Sequence, residues 1–177
     1  LELTFPKRDE VSNYSRDLNL ENAISSVQYE FAGTTYKREL FSSAVDQAIH
    51  LRLSSDKKAK ITFSASLTRP QSSQLKMMEN GTLVLKGQAR TSKKKVIQQF
   101  PSAAKGVAFE THLKVLNEGG KIFYEEDSIR VENADAVTLV LVASSDYYGD
   151  KKLTASCQKQ LNHAAQKSYH QARTDHI

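Results

Sequence analysis

From Leu1 to Ser145 apolar and polar residues alternate with a period of two over most of the chain, the spacing of strands that bury one face. The organising stretch is Tyr14 to Leu53. Val27, Tyr29 and Phe31 alternate with Ser26, Gln28 and Glu30, and Ile49, Leu51 and Leu53 alternate with His50, Arg52 and Ser54. Ala32-Gly33-Thr34 falls between two such runs, where a tight reversal needs the positive φ that glycine tolerates, so a hairpin is predicted there. Tyr14, Arg16, Leu18 and Leu20 alternate in the same way. If Leu18 and Leu20 are buried, Arg16 lies on the covered side and needs a carboxylate or carbonyl partner, because a dry unpaired charge is costly.

Further strands follow. Leu1 to Phe5 is closed by Pro6, and Ile61, Phe63, Ala65 and Leu67 alternate cleanly. Asn80-Gly81 marks a turn before Leu83 to Leu85. Val107, Phe109, Thr111, Leu113 and Val115 line one long strand, which Asn117 to Gly120 reverses into Lys121 to Tyr124, with Ile129 and Val131 beyond. Gln71 to Asn80 and Arg90 to Lys105 read as loops. Ala136 to Ala143 is apolar at both parities, so it must be covered on both sides, centrally between sheets or beneath the following helix. After it the period changes. Leu153, Cys157, Leu161, Ala164, Ala165 and Ser168 recur at three and four, which predicts one helix from about Lys151 to Arg173 with Asp150 as its cap. The predicted fold is mainly β. Residues 1–149 form a two-sheet antiparallel β-sandwich of the super-sandwich type with about ten strands, and residues 150–177 form a C-terminal helix. The opening residues alternate as though already inside a strand, so the chain is expected to be an excised piece.

Composition narrows the function classes. Apolar residues make up 39% and tryptophan is absent, so the core should be aliphatic. The net charge of +5 is spread over 25 basic and 20 acidic residues without a stripe, and Lys93-Lys94-Lys95 with Phe100 lacks the interleaved aromatics of a nucleic-acid surface. No nucleic-acid partner is predicted. No apolar run approaches the roughly 20 residues of a membrane helix, and no membrane partner is predicted. Single Cys157 excludes an intrachain disulfide. His163 and His170 are seven apart rather than four, so no metal is predicted, while His50 and His112 fall at the polar parity of their strands, where exposure is expected. Glu125, Glu126 and Asp127 are contiguous, whereas glycosidase carboxyl pairs flank the bond from separate positions about 5 to 10 Å apart. Ser144-Ser145-Asp146 lacks the setting of a nucleophilic serine. Asn13-Tyr14-Ser15 and Asn80-Gly81-Thr82 match the glycosylation sequon. No catalytic, cofactor or metal residue is predicted. Tyr147 and Tyr148 are the side chains on which an alternative, a free-standing carbohydrate-binding or adhesion sandwich, would rely.

Several motifs in order carry a family resemblance. NYSRDLNLENA (Asn13 to Ala23) has the form Asn-Tyr-x-Arg-x-Leu-x-Leu-x-x-Ala, followed by Val27-x-Tyr29 and then by G-x-x-Y-x-R-E-x-F-x-S from Gly33 to Ser43. LVLKGQA (Leu83 to Ala89), GVAFETHLKV (Gly106 to Val115), ADAVTLVLVASSDY (Ala134 to Tyr147) and Lys167-Ser168-Tyr169 continue the order. Together they resemble the amino-terminal β domain of glycoside hydrolase family 95, the α-L-fucosidases. The resemblance implies a non-catalytic domain whose parent, periplasmic or secreted, removes α-L-fucose from a glycan substrate with inversion, in a catalytic (α/α)6 barrel of the same parent chain. The family's catalytic positions have no counterpart here, and neither does its P-x-G-N-G-x-L-G motif. The C-terminal helix would lead towards a linker and that barrel.

Overall fold

The computed structural model describes residues 1–177 apart from 8–9, 71, 90–93, 100–105 and 150–151. The antiparallel sandwich is present. An eight-stranded sheet runs in the order β2 (Ser12–Asn19), β3 (Ile24–Phe31), β4 (Thr34–Ser43), β5 (Ala48–Ser55), β12 (Ala136–Ser145), β9 (Val107–Glu118), β8 (Leu83–Ala89) and β7 (Ser73–Met77). Against it lies a four-stranded sheet of β1 (Glu2–Thr4), β6 (Ile61–Ser66), β11 (Ile129–Ala134) and β10 (Lys121–Tyr124). Phe63, Leu83, Leu113, Ile129, Val131, Val137 and Leu139 fill the space between them and are fully buried.

Local chemistry sets the turns. Phe31 pairs with Thr34, and Ala32 and Gly33 between them have φ of 47° and 67°, the left-handed pair whose twist suits a two-residue hairpin. Gly119-Gly120 is instead a corner that carries the chain from the large sheet into the small one. A Cβ at Gly120 would sit 2.3 Å from the Glu132 carbonyl oxygen, so only glycine fits. The same corner is strapped by Asp135, whose amide donates to the Glu118 carbonyl at 2.7 Å and whose Oδ1 accepts the Ala59 amide at 2.8 Å.

β12 occupies the middle of the large sheet between β5 and β9, and both its faces are covered, as its apolar run predicts. The outer face carries α2 (Leu153–Ala165) and α3 (Tyr169–His176). Cys157, Leu161 and Ala164 of α2 meet Ala48, Val140 and Val142, while Ala172 of α3 meets Ile24 and Phe41.

Four expectations change. The single C-terminal helix is two, because Ser168 caps a new start: its Oγ accepts the Gln171 amide while the Gln171 side chain accepts the Ser168 amide. Ser168 itself is exposed, and the buried stripe ends at Ala164. β2 is solvent-exposed throughout, including Arg16 and Leu18, and so is Leu20 just beyond it; β2 is the edge of a sheet twice as wide as its partner, so no second layer reaches it. It also carries a register shift between Ser12 and Ser15, with Asn13 at φ 50°. Gln71 to Asn80, read as a loop, contains edge strand β7, whose half-buried Ser73, Leu75 and Met77 alternate with Gln74 and Lys76. The segment from Arg90 to Lys105 contains the short helix α1 (Lys94–Gln99); Lys93, Phe100 and Asp150, the proposed cap, lie outside the described residues.

Gly33→Ala should cost about 1 kcal/mol for its left-handed φ alone, and Gly120→Ala at least about twice that because the backbone of β11 blocks the added methyl. Urea unfolding midpoints of the two variants check this ordering.

Candidate functional site

Ionisable side chains concentrate in the seam between the large sheet and α2–α3. In β5 the polar parity of the strand, Ala48, His50 and Arg52, faces the helices, so it is covered rather than wet. The turn before β5 is held by the Asp46 amide donating to Ser43 Oγ at 3.0 Å. It aims the fully buried Asp46 carboxylate at the α2–α3 junction. Lys167 Nζ donates to Asp46 Oδ1 at 2.6 Å and to Asp175 at 2.7 Å, and His50 Nε2 lies 3.2 Å from Asp46 Oδ2. Burial alone would push the Asp46 carboxyl up, but the Lys167 ammonium, with His50 and Ser43, outweighs it and holds the group below the usual carboxylate range. Burial pushes the His50 imidazole down, against the pull of Asp46.

Aromatic contacts extend this latch along α3. Phe41 stacks on His50 at 5.0 Å and on His176 at 4.7 Å between ring centroids. Tyr169 Oη donates to Glu39 at 3.2 Å beneath the Arg52 guanidinium, and burial together with that carboxylate raises its hydroxyl pKa. His176 Nε2 lies 3.0 Å from the Asn22 carbonyl oxygen. The last helix is therefore fastened to three successive strands, or the turns beside them, by polar contacts as well as by Ala172.

A second cluster sits under the start of α2. Buried Glu110 of β9 accepts Thr154 Oγ1 at 2.7 Å, lies 3.0 Å from Lys86 Nζ and 3.1 Å from His112 Nε2, and Cys157 Sγ points at its carbonyl 3.6 Å away. Burial raises this carboxyl, but the hydroxyl, the imidazole and the ammonium together bring it below its ordinary value. His112, Lys86, Thr154, Gln158 and Leu161 line a narrow cleft beside it.

His50 and His112 are thus buried, against the expectation of exposure, because the helices cover the parity that an isolated strand would leave wet. The signal was a carboxylate beside each histidine, Asp46 four residues before His50 and Glu110 two before His112, together with a helical stripe needing a face to cover. The other candidates stay apart. His163 is mostly exposed, 3.7 Å from Asp46, and His170 is exposed. Glu125 accepts from Arg130 Nε and Ser128 Oγ, both at 2.8 Å, and Arg130 also bonds Glu132, so that acidic turn closes on its own cation. Asp146 Oδ1 accepts the Ala108 amide at 2.8 Å, a structural role; Asn80 and Asn13 bond Thr82 and Glu30. No group of three or more metal-ligating side chains occurs among the described residues. Tyr147 and Tyr148 are 69% and 95% exposed, with their rings edge to face at 86°. Chemically, each buried carboxylate is saturated by donors and placed to hold a helix.

Residues 1–150 match the family model for "Glycosyl hydrolase family 65, N-terminal domain". Over 157 residues the chain is 25% identical to "Alpha-L-fucosidase 2" of Arabidopsis thaliana, covering 78% of this chain and 18% of that protein. A solved structure titled "Putative kojibiose phosphorylase from human microbiome" superposes with a TM-score of 0.66 at 10% identity, over 94% of this chain and 24% of that one. At that identity the likeness is one of fold. The chain spans about a fifth to a quarter of the length of these relatives.

Acid should loosen the seam in two stages. His50 has a depressed folded pKa, so the unfolded chain takes up its proton first and stability falls as pH drops below about 6.5. Asp46 and Glu110, also depressed, add stability above their unfolded values near pH 4 and lose it as pH falls through the folded ones. His50→Gln should flatten the fall in Tm between pH 7 and 5, and Asp46→Asn should cost about 2 kcal/mol at pH 7. Calorimetric scans across pH check both.

Proposed function

Because the chain belongs to the glycosyl hydrolase family 65 N-terminal domain family, we propose that it is the non-catalytic amino-terminal sandwich of an α-L-fucosidase-like glycoside hydrolase. Its parent chain would carry an (α/α)6 catalytic barrel elsewhere and would remove α-L-fucosyl groups from glycans with inversion. The motif run from Asn13 to Ser43 and the similarity to Alpha-L-fucosidase 2 favour the fucosidase over the phosphorylase reading. One observation carries the non-catalytic part. The buried acids and bases, Asp46 with His50 and Lys167 and Glu110 with His112, are spent on fastening helices to a sheet.

An inverting glycosidase needs a protonated acid at the leaving oxygen and a carboxylate that activates water from the opposite face. Neither cluster offers that pair: Asp46 and Glu110 are each saturated by donors, and Asp175 is tied to the same Lys167 ammonium as Asp46. The domain's part in the reaction is mechanical: residues 1–149 supply a rigid two-layer block, and α2 and α3, clamped to its outer face, deliver the chain to the linker from a fixed point. Tyr147 and Tyr148 favour a second reading, a free-standing sugar-binding module, by their exposure. Their edge-to-face arrangement provides no flat platform for a pyranose ring.

The parent protein is expected to hydrolyse fucosyl-α-1,2-galactose with an inverted anomeric product, read by proton NMR, and residues 1–177 alone should give no turnover. Phosphate-dependent cleavage of kojibiose by the parent would overturn the fucosidase reading. Turnover by the 177-residue chain would overturn its non-catalytic role, and calorimetric binding of fucosylated glycans lost in Tyr147→Ala would establish the sugar-binding module instead.

A further inference from the structure

We propose that an apolar segment of the longer parent polypeptide, outside these 177 residues, covers the bare end of the large sheet by continuing the small sheet past β1. This rests on the reading of the chain as one domain of a longer enzyme. The observation is a gradient of burial along one line of the sheet. Leu18, Ser25, Leu40, Leu51 and Leu139 are successive register partners across β2, β3, β4, β5 and β12. The leucines of that line go from 59% exposed at Leu18 and 42% at Leu40, on either side of half-buried Ser25, through half-buried Leu51, to 1% at Leu139. The neighbouring line repeats it, with Ile49 at 38%, Leu141 half-buried and Leu113 fully buried.

Isolated exposed leucines need no explanation, whereas adjacent ones on one face, continuous with the core, mark a contact. Leu51, Leu141 and Val27 already touch the inter-sheet core, so the bare strip is that core's unfinished margin. The small sheet stops there because it is four strands wide against eight, and its last strand, β1, is three residues long with one edge unpaired among the described residues. Phe5, just beyond β1, lies with Tyr29, Tyr36 and Leu53 and under the Arg38 guanidinium, which sets that free edge over β3 to β5, beside the bare strip. A strand added to β1 would satisfy its backbone groups and lay alternate side chains on Leu18 and Leu40.

The occupant follows from size and charge. The strip is three exposed side chains, Leu18, Leu40 and Ile49, well short of the roughly 800 Å² per partner of a stable free-standing dimer but sufficient for a segment tethered in the same chain. Relatives carry ample chain for this, since the match covers 18% and 24% of theirs. Arg16 and Arg38 border the strip, each opposite Val27, so an apolar segment flanked by acidic residues complements it, whereas an identical copy brings the same cations.

The test uses the full-length parent. Leu40→Cys and Ile49→Cys are labelled with a maleimide and read by peptide mass spectrometry, each against the same cysteine in the urea-unfolded protein; buried Cys157 is the protected reference. Labelling at least about tenfold slower than in the unfolded protein, and independent of protein concentration, is the expected result. Rates near those of the unfolded protein overturn the proposal, as does protection that vanishes on dilution, which would make the occupant a second copy. Variants that keep the parent's fucosidase activity establish that the fold survives. An active parent with fast labelling defeats this inference alone; an inactive parent with slow labelling defeats the fucosidase reading and leaves the covered strip standing.

Discussion

The fold depends on one requirement: a central strand that is apolar at both parities has to be covered twice. AVTLVLVA, Ala136 to Ala143, buries Val137 and Leu139 against the small sheet and Val140 and Val142 against α2. A sandwich alone satisfies half of that demand. The helices satisfy the rest, and their presence forces the polar side chains that share the outer face, His50, His112, Glu110 and the nearby Asp46, into a dry seam where each must find a partner. Lys167, Thr154 and Lys86 are those partners. The seam's electrostatics are a consequence of hydrophobic layering.

This layering explains which parts of the chain were legible. Where period and burial coincide, as at Ile61 to Leu67 or in the Ala32-Gly33 hairpin, alternation and turn chemistry name the element directly. Legibility failed where the third layer or its absence decided burial. β2 has the alternation of a half-buried strand and yet is wet, since no layer extends over it; β5 and β9 have polar parities that look wet and are dry. The helix break at Ser168 was written in Ser-x-x-Gln, but a continuous three-and-four stripe across Ala164, Ala165 and Ser168 masked it. For the site, alternation could locate His50 and His112 on a face without saying that the face would be roofed.

The C-terminal elements are coupled to the sandwich by two different kinds of force. α2 adheres through small and aliphatic side chains close to β12 and β5 and, at its start, through Thr154 to the Glu110 carboxylate. α3 adheres through Tyr169 to Glu39, through Tyr169 and His176 against Phe41, and through Asp175 to Lys167, which also holds Asp46, contacts that depend on geometry and ionisation.

The irregularity at Asn13 matters for a different reason. A wide sheet ending in a long, straight strand would present a ladder of unspent amides and carbonyls on which other chains could polymerise. The bulge between Ser12 and Ser15 bends that border, and Arg16 and Asp17 stud it with charge, so neighbouring molecules are denied a flat template for fibre growth.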